Sequence, residues 1–329
     1  MSNWFQEQQA EARKSLMEYR AGRISPFLYD SLILEWGKAD LLEAQPDIEP
    51  FLNSSDADLR CQALHALARF RLQEYWPTAV KFLLYDPDYA ARVEGARALG
   101  WLQNNTQDRR TLGVLASVVN DPYDDDGVTW DAYRSMRIVA YGEWKALEGP
   151  DGQHFDLDRD ADWDLINASV DSEQENRWQE EAQHLLESYQ SGQVVKTDYY
   201  AMLRKFARAR LQESQEVVRG FLTSPSKLLR TTALATLILY LQVPGNWQMA
   251  VDLIEHDLDS EMRLKGIEWL ALLMQKTDDK KTLRVLYRCW IGHNRTLRLA
   301  AMEAIEKVYA GDFDDFLAAM KESQDQTEE

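Results

Sequence analysis

Five aspartates fall at every second position of FDLDRDADWDLI: Asp156, Asp158, Asp160, Asp162 and Asp164. Alternating carboxylates of this kind suit a hard divalent cation, because D-x-D-x-D supplies the first three ligand positions of a calcium loop. The rest of that loop is missing. Counted from Asp156, position six is Ala161 where the sharp turn needs glycine, and position twelve is Asn167 where a bidentate Glu closes the shell. Counted from Asp160, Leu165 and Asp171 stand in those places. The expectation is therefore no dedicated metal and no other cofactor, the acids forming a charged strip in water.

Other chemistry is equally thin. The histidines His65, His154, His184, His256 and His293 have no His partner at i,i+4, so a helical His pair for a metal is absent. No G-x-S-x-G elbow, GxxxxGK phosphate loop, GxGxxG turn or HExxH helix occurs. Carboxylates are numerous enough for two to meet and share acid/base work, yet no spacing singles out a pair. No catalytic residue is assigned.

Charge narrows the partners. Fifty-five acidic against thirty-seven basic residues leave a net charge of −18, which repels nucleic-acid phosphates and anionic lipid and favours a basic protein partner. The longest apolar run, ALATLILYLQV at 233–243, is too short to cross a bilayer. Cys61 and Cys289 lie far apart outside any CxxC arrangement, and the polar, charged start MSNWFQEQQAEARKSL lacks a signal-peptide core. Together they suggest a cytoplasmic protein.

Internal repetition decides the elements. FLNSSDADLRCQALHALARF at Phe51 and FLTSPSKLLRTTALATLILY at Phe221 match at an offset of 170, whereas Trp76, Asp86, Arg92, Gly95 and Leu99 match Trp247, Asp257, Arg263, Gly266 and Leu270 at 171. Earlier, Ala12, Leu16, Tyr19, Gly22 and Tyr29 match Ala182, Leu186, Tyr189, Gly192 and Tyr199. The chain reads as two tandem copies of one unit. Within each copy an arginine is followed at three by Ala or Gly and at seven by a large apolar residue: Arg60-Ala63-Leu67, Arg92-Gly95-Leu99, Arg137-Ala140-Trp144, Arg230-Ala233-Leu237, Arg263-Gly266-Leu270 and Arg298-Ala301-Ile305. That spacing is one face of a helix, with the small residue where a neighbouring helix comes close. Each such helix follows a turn with a capping residue, as in SSDAD, YDPDY, SPSK and DLDSE.

The pattern in DPDYAARVEGARALGWL resembles HEAT repeats, particularly those named after phycobilisome lyases, over roughly 45–148 and 213–310, with a more divergent helix pair opening each copy. The resemblance implies an all-α fold, an α-solenoid of HEAT-like helical repeats with a right-handed superhelix. It also implies that Arg60, Arg92, Arg137, Arg230, Arg263 and Arg298 are structural, bridging to turn carboxylates and backbone of neighbouring repeats. HEAT arrays serve many tasks, so fold does not give function here.

Places where the duplication breaks are where function is added. Twenty-one residues separate Leu115 from Arg137, but eleven separate Leu286 from Arg298. The extra stretch carries Asp124, Asp125 and Asp126 beside Trp130 and Tyr133, and it reads as a recognition loop whose aromatics give contact area and whose acids meet Lys or Arg. The junction between copies holds eleven acids against two arginines from Pro150 to Glu181. There Asp156, Asp158, Asp160, Asp162 and Trp163 are assigned to partner binding. The organisation expected is a first copy at 1–149, an acidic junction at 150–177, a second copy at 178–312, and a C-terminal helix and acidic tail at 313–329. The function expected is a non-enzymatic protein-binding scaffold whose acidic surface engages a basic partner, as in immunity proteins that neutralise bacterial toxins. The competing reading is a bilin-lyase-like subunit or another cofactor-handling assembly factor.

Overall fold

The computed structural model describes residues 3–121, 124, 126–142, 161–169, 172–243, 245–257, 259–309, 311 and 316. The chain divides into two compact units, Met1–Arg177 and Trp178–Glu329. Among the described residues each is all helix, built from antiparallel pairs. In unit 1 the pairs are α1 (Asn3–Arg20) with α2 (Tyr29–Lys38), α3 (Gln45–Ile48) with α4 (Ala57–Arg69), α5 (Trp76–Tyr85) with α6 (Tyr89–Leu102), and α7 (Arg109–Val119) with α8 (Asp126–Tyr141). A short α9 (Trp163–Ser169) packs on α7. In unit 2 they are α10 (Ser172–Gln190, from Trp178 onward) with α11 (Tyr199–Arg208), α12 (Gln215–Gly220) with α13 (Lys227–Ala235), α14 (Asn246–His256) with α15 (Ser260–Leu273), and α16 (Lys280–Trp290) with α17 (Arg295–Val308). Second helices pack in succession, α2 on α4, α4 on α6 and α6 on α8, which is the solenoid arrangement.

Capping side chains account for the start of seven of these helices. Asp56, Asp88 and Asp108 cap α4, α6 and α7 by accepting main-chain N–H bonds, and Ser226, Asp259, Asp279 and Asn294 do so in unit 2. A cap of this kind contributes about 1 kcal/mol. The small residue of the repeat permits the close crossing. A Cβ on Gly95 would lie 2.4 Å from the Leu83 amide nitrogen, and one on Gly266 would lie 2.9 Å from Ile254 Cγ1.

The duplication recurs in three dimensions. Tyr19, Tyr29 and Phe51 form an aromatic cluster with centroids 5.2–6.5 Å apart, and Tyr189, Tyr199 and Phe221 repeat it at 5.0–5.9 Å. Left-handed residues close equivalent turns: Asp40, Arg71, Asn105 and Gln107 in unit 1, and Arg210, Gln242, Lys276 and Asp278 in unit 2.

The change of offset from 170 to 171 has a structural counterpart. After Ala235, α13 continues as a π turn over Thr236–Tyr240, with the Leu241 amide donating to the Thr236 carbonyl at 2.9 Å. Between Leu237 and Gln242 unit 2 holds four residues where unit 1, between Leu67 and Arg71, holds three. One added residue, absorbed without breaking the helix, is what a π turn accommodates.

One repeat is placed differently from the expectation. Asn105 and Gln107 amides donate to the Ile138 and Val139 carbonyls, and Lys276 and Asp278 amides donate to those of Lys307 and Val308, so α8 and α17 correspond at an offset of 169. The counterpart of Arg298-Ala301-Ile305 is thus Thr129-Ala132-Met136, where Ala132, Ala301, Met136 and Ile305 are all fully buried. Arg137 is not the repeat arginine, and Trp144 lies outside the described residues. A register eight residues off stays near the same face after two turns, so periodicity alone admits both. The expected ten-residue insertion shrinks accordingly: six residues link α7 to α8 and four link α16 to α17.

Candidate protein-interaction surface

The turns entering the second helices decide which acids face outward. Arg60 donates Nη1 to the Ser54 and Ser55 carbonyls at 2.9 and 3.2 Å, while Nε and Nη2 grip Asp86 of the next turn at 3.1 and 2.8 Å. Both side chains are nearly buried, 12% and 8% exposed, so Asp86 serves the stacking of repeats. Arg92 donates Nη1 to the Asp86 and Pro87 carbonyls, and its Nε lies 4.0 Å from Asp124. Arg230 repeats the pattern on Ser224 and Pro225, and Arg263 donates to Ile254. Arg298 is exposed, with no such bond among the described residues.

Two residues assigned to partner binding are removed by this geometry. The Asp124 side chain is 1% exposed beside Arg92, so it neutralises a repeat arginine instead of meeting a partner. Tyr133 is fully buried and donates no contact area; its hydroxyl accepts the Asp162 amide at 2.7 Å and thereby anchors the junction to unit 1. Asp162 itself is spent locally, accepting from the Leu165 amide at 2.9 Å and from the Tyr141 hydroxyl at 3.1 Å. Trp130 and Trp163 are half-buried, and Ile166 docks α9 with no exposed area. Asp126 begins α8. Asp125, Asp156, Asp158 and Asp160 lie outside the described residues.

What stays outward on the entry turns of unit 1 is Asp56 and Asp58, exposed, and Asp88, half-buried. Because α4, α6 and α8 pack in succession, their N-terminal ends share one edge, and Asp126 begins the third of them.

The same helices carry partly buried pairs that sequence reading missed. His65 Nδ1 lies 2.9 Å from Glu94 Oε1, and Arg97 holds Asp131 through two bonds at 2.9 and 3.1 Å. Each pair is separated by about one repeat length, 29 and 34 residues, which is the signal that pairing along the repeat period would have found. Burial first, then Glu94, pushes the Cys61 thiol up to about 12. No group of three or more His, Cys, Asp or Glu among the described residues is placed to hold a metal ion. No helix among them is long and apolar enough to cross a membrane.

Residues 46–137, from α3 into α8 of unit 1, match the family model for HEAT repeats. No curated protein matches. Among solved structures, the complex of CpcE and CpcF of phycocyanin lyase from Nostoc sp. PCC7120 is 16% identical over 80% of this chain and 94% of that one, with a TM-score of 0.28. An engineered protein is 19% identical over 94% of this chain and 76% of that one, with a TM-score of 0.33.

Proposed function

We propose that this protein is a non-enzymatic binding scaffold whose acidic surface engages a basic protein partner. The observation that carries the reading is the edge of unit 1, where Asp56, Asp58, Asp88 and the start of α8 at Asp126 fall on successive entry turns of stacked repeats. A row of carboxylates at repeat spacing steers a basic partner and fixes its register more than it adds raw affinity. The net charge of −18 extends that field over the whole chain.

Asp125, Asp156, Asp158, Asp160 and the half-buried Trp130 and Trp163 belong to the same proposal, with the aromatics supplying contact area. The finer reading is an immunity role, in which carboxylates stand in for the phosphates that a toxin's basic nucleic-acid-binding face would hold. Co-purification from the source organism tests the proposal. A stoichiometric protein of basic isoelectric point supports it, and a chromophore-bearing or acidic partner rejects it.

A further inference from the structure

In unit 1 the repeat arginines are met by an acid from the turn that follows, Arg60 by Asp86 at 2.8 Å and Arg92 by Asp124 at 4.0 Å. Unit 2 keeps both arginines and, as Asp257, the acid that matches Asp86, but it loses the acid that matches Asp124. Arg263 corresponds to Arg92, and the turn that follows it reads Ile291-Gly292-His293-Asn294, with no carboxylate. Counted back from the helix starts at Asp126 and Arg295, His293 occupies the place of Asp124.

Arg263 is also held differently from the other repeat arginines. Arg60, Arg92 and Arg230 donate Nη1 to carbonyls of the turn before their own helix, whereas Arg263 donates Nε to the Ile254 carbonyl at 2.7 Å. An open cleft of about 450 Å³ lies against it, lined among others by Glu255, Arg288, Cys289, His293 and Asn294. Glu255, the acid of that lining, is held by Arg288 at 3.1 Å. Asn294 Oδ1 caps α17 through the Thr296 and Leu297 amides, which leaves its Nδ2 as a donor.

We propose that this cleft binds a carboxylate from outside the chain, seated on Arg263 where Asp124 sits on Arg92. A guanidinium takes a carboxylate through two parallel N–H···O bonds, and with Nε on the Ile254 carbonyl Arg263 offers its two terminal nitrogens for them. His293 and Asn294 Nδ2 flank the seat. The chain's own first copy shows what such a seat holds, and the assignment does not depend on the acidic edge of unit 1.

Cys289 lines the cleft and reports on it. In a full-length Cys61→Ser variant it is the sole thiol, and its alkylation rate is followed against increasing succinate, with inorganic phosphate as a second probe. Succinate slows alkylation several-fold and saturably. The protection disappears in Arg263→Gln and in His293→Asp, and His293→Asp, which restores the acid of unit 1, raises the Tm of the ligand-free protein. Absence of protection by succinate, protection that survives His293→Asp, or protection by phosphate but not by succinate overturns the proposal. His293→Asp decides the matter even if Arg263→Gln does not fold, because it fills the seat while leaving the arginine in place.

Discussion

Arg60 and Asp86 form a two-bond ion pair at 2.8 and 3.1 Å across successive entry turns, with the remaining guanidinium nitrogen on the Ser54 and Ser55 carbonyls. Removing one member of a nearly buried pair strands the other. Asp86→Ala is expected to cost about 3 kcal/mol, at the low end for a buried pair because 12% of Arg60 still reaches water. Chemical denaturation measures it, and a loss below about 1 kcal/mol would show that the grip is incidental.

The indole of Trp76 donates to Thr111 Oγ1 at 2.7 Å, and that of Trp247 donates to Thr282 Oγ1 at the same distance. Thr111→Val leaves a buried indole N–H unsatisfied, at about 1–3 kcal/mol. Trp247 is less buried than Trp76, so water can replace the lost bond in part and Thr282→Val is expected to cost less. Equal or reversed losses, by thermal denaturation of both variants, would contradict this reading.

The π turn at Thr236–Tyr240 marks a place where one residue is surplus to the α-helical register. Deleting Ile238 should leave a cooperatively unfolding protein with an unchanged far-UV circular dichroism spectrum. Deleting Ala66, which sits in an uninterrupted α4, should not. If both deletions behave alike, the inserted-residue account is wrong.

Asp279 accepts the Thr282 amide at 2.7 Å, and that bond holds its carboxyl below the usual carboxylate range. A depressed pKa contributes stability that is present above the unfolded value, about 3.9, and is lost as pH falls through the folded one. Asp279→Ala should therefore cost about 1 kcal/mol near neutrality. The gap to the unsubstituted protein should close on acidification below that range. A gap that is constant with pH in urea titrations would assign the cost to packing instead.

Much of this was legible in the chain, because helical period and duplication are both written in side-chain type. The 170-residue offset aligned Tyr19 and Tyr29 with Tyr189 and Tyr199, and the shift to 171 recorded one added residue, but the π turn that absorbs it was not legible. The register of α8 was not legible. Arg137-Ala140-Trp144 imitates the repeat two turns downstream of the true position, and only the main-chain bonds to Ile138 and Val139 separate the two. Burial was the other limit. Asp124 and Tyr133 look like surface recognition residues by type, yet one neutralises Arg92 and the other anchors Asp162, both through contacts far away in sequence. The cleft at Arg263 is lined by side chains of successive helices that only the fold brings together.

The central claim is that a basic partner is held by the acidic edge of unit 1. The most direct measurement is the dissociation constant of the co-purified partner as a function of salt, for the unsubstituted protein and for Asp58→Asn/Asp125→Asn/Asp126→Asn. The account predicts that affinity falls steeply with salt, that the triple variant binds about tenfold or more weakly with a shallower salt slope, and that its Tm is unchanged. An affinity that is insensitive to salt and to the triple substitution would contradict it.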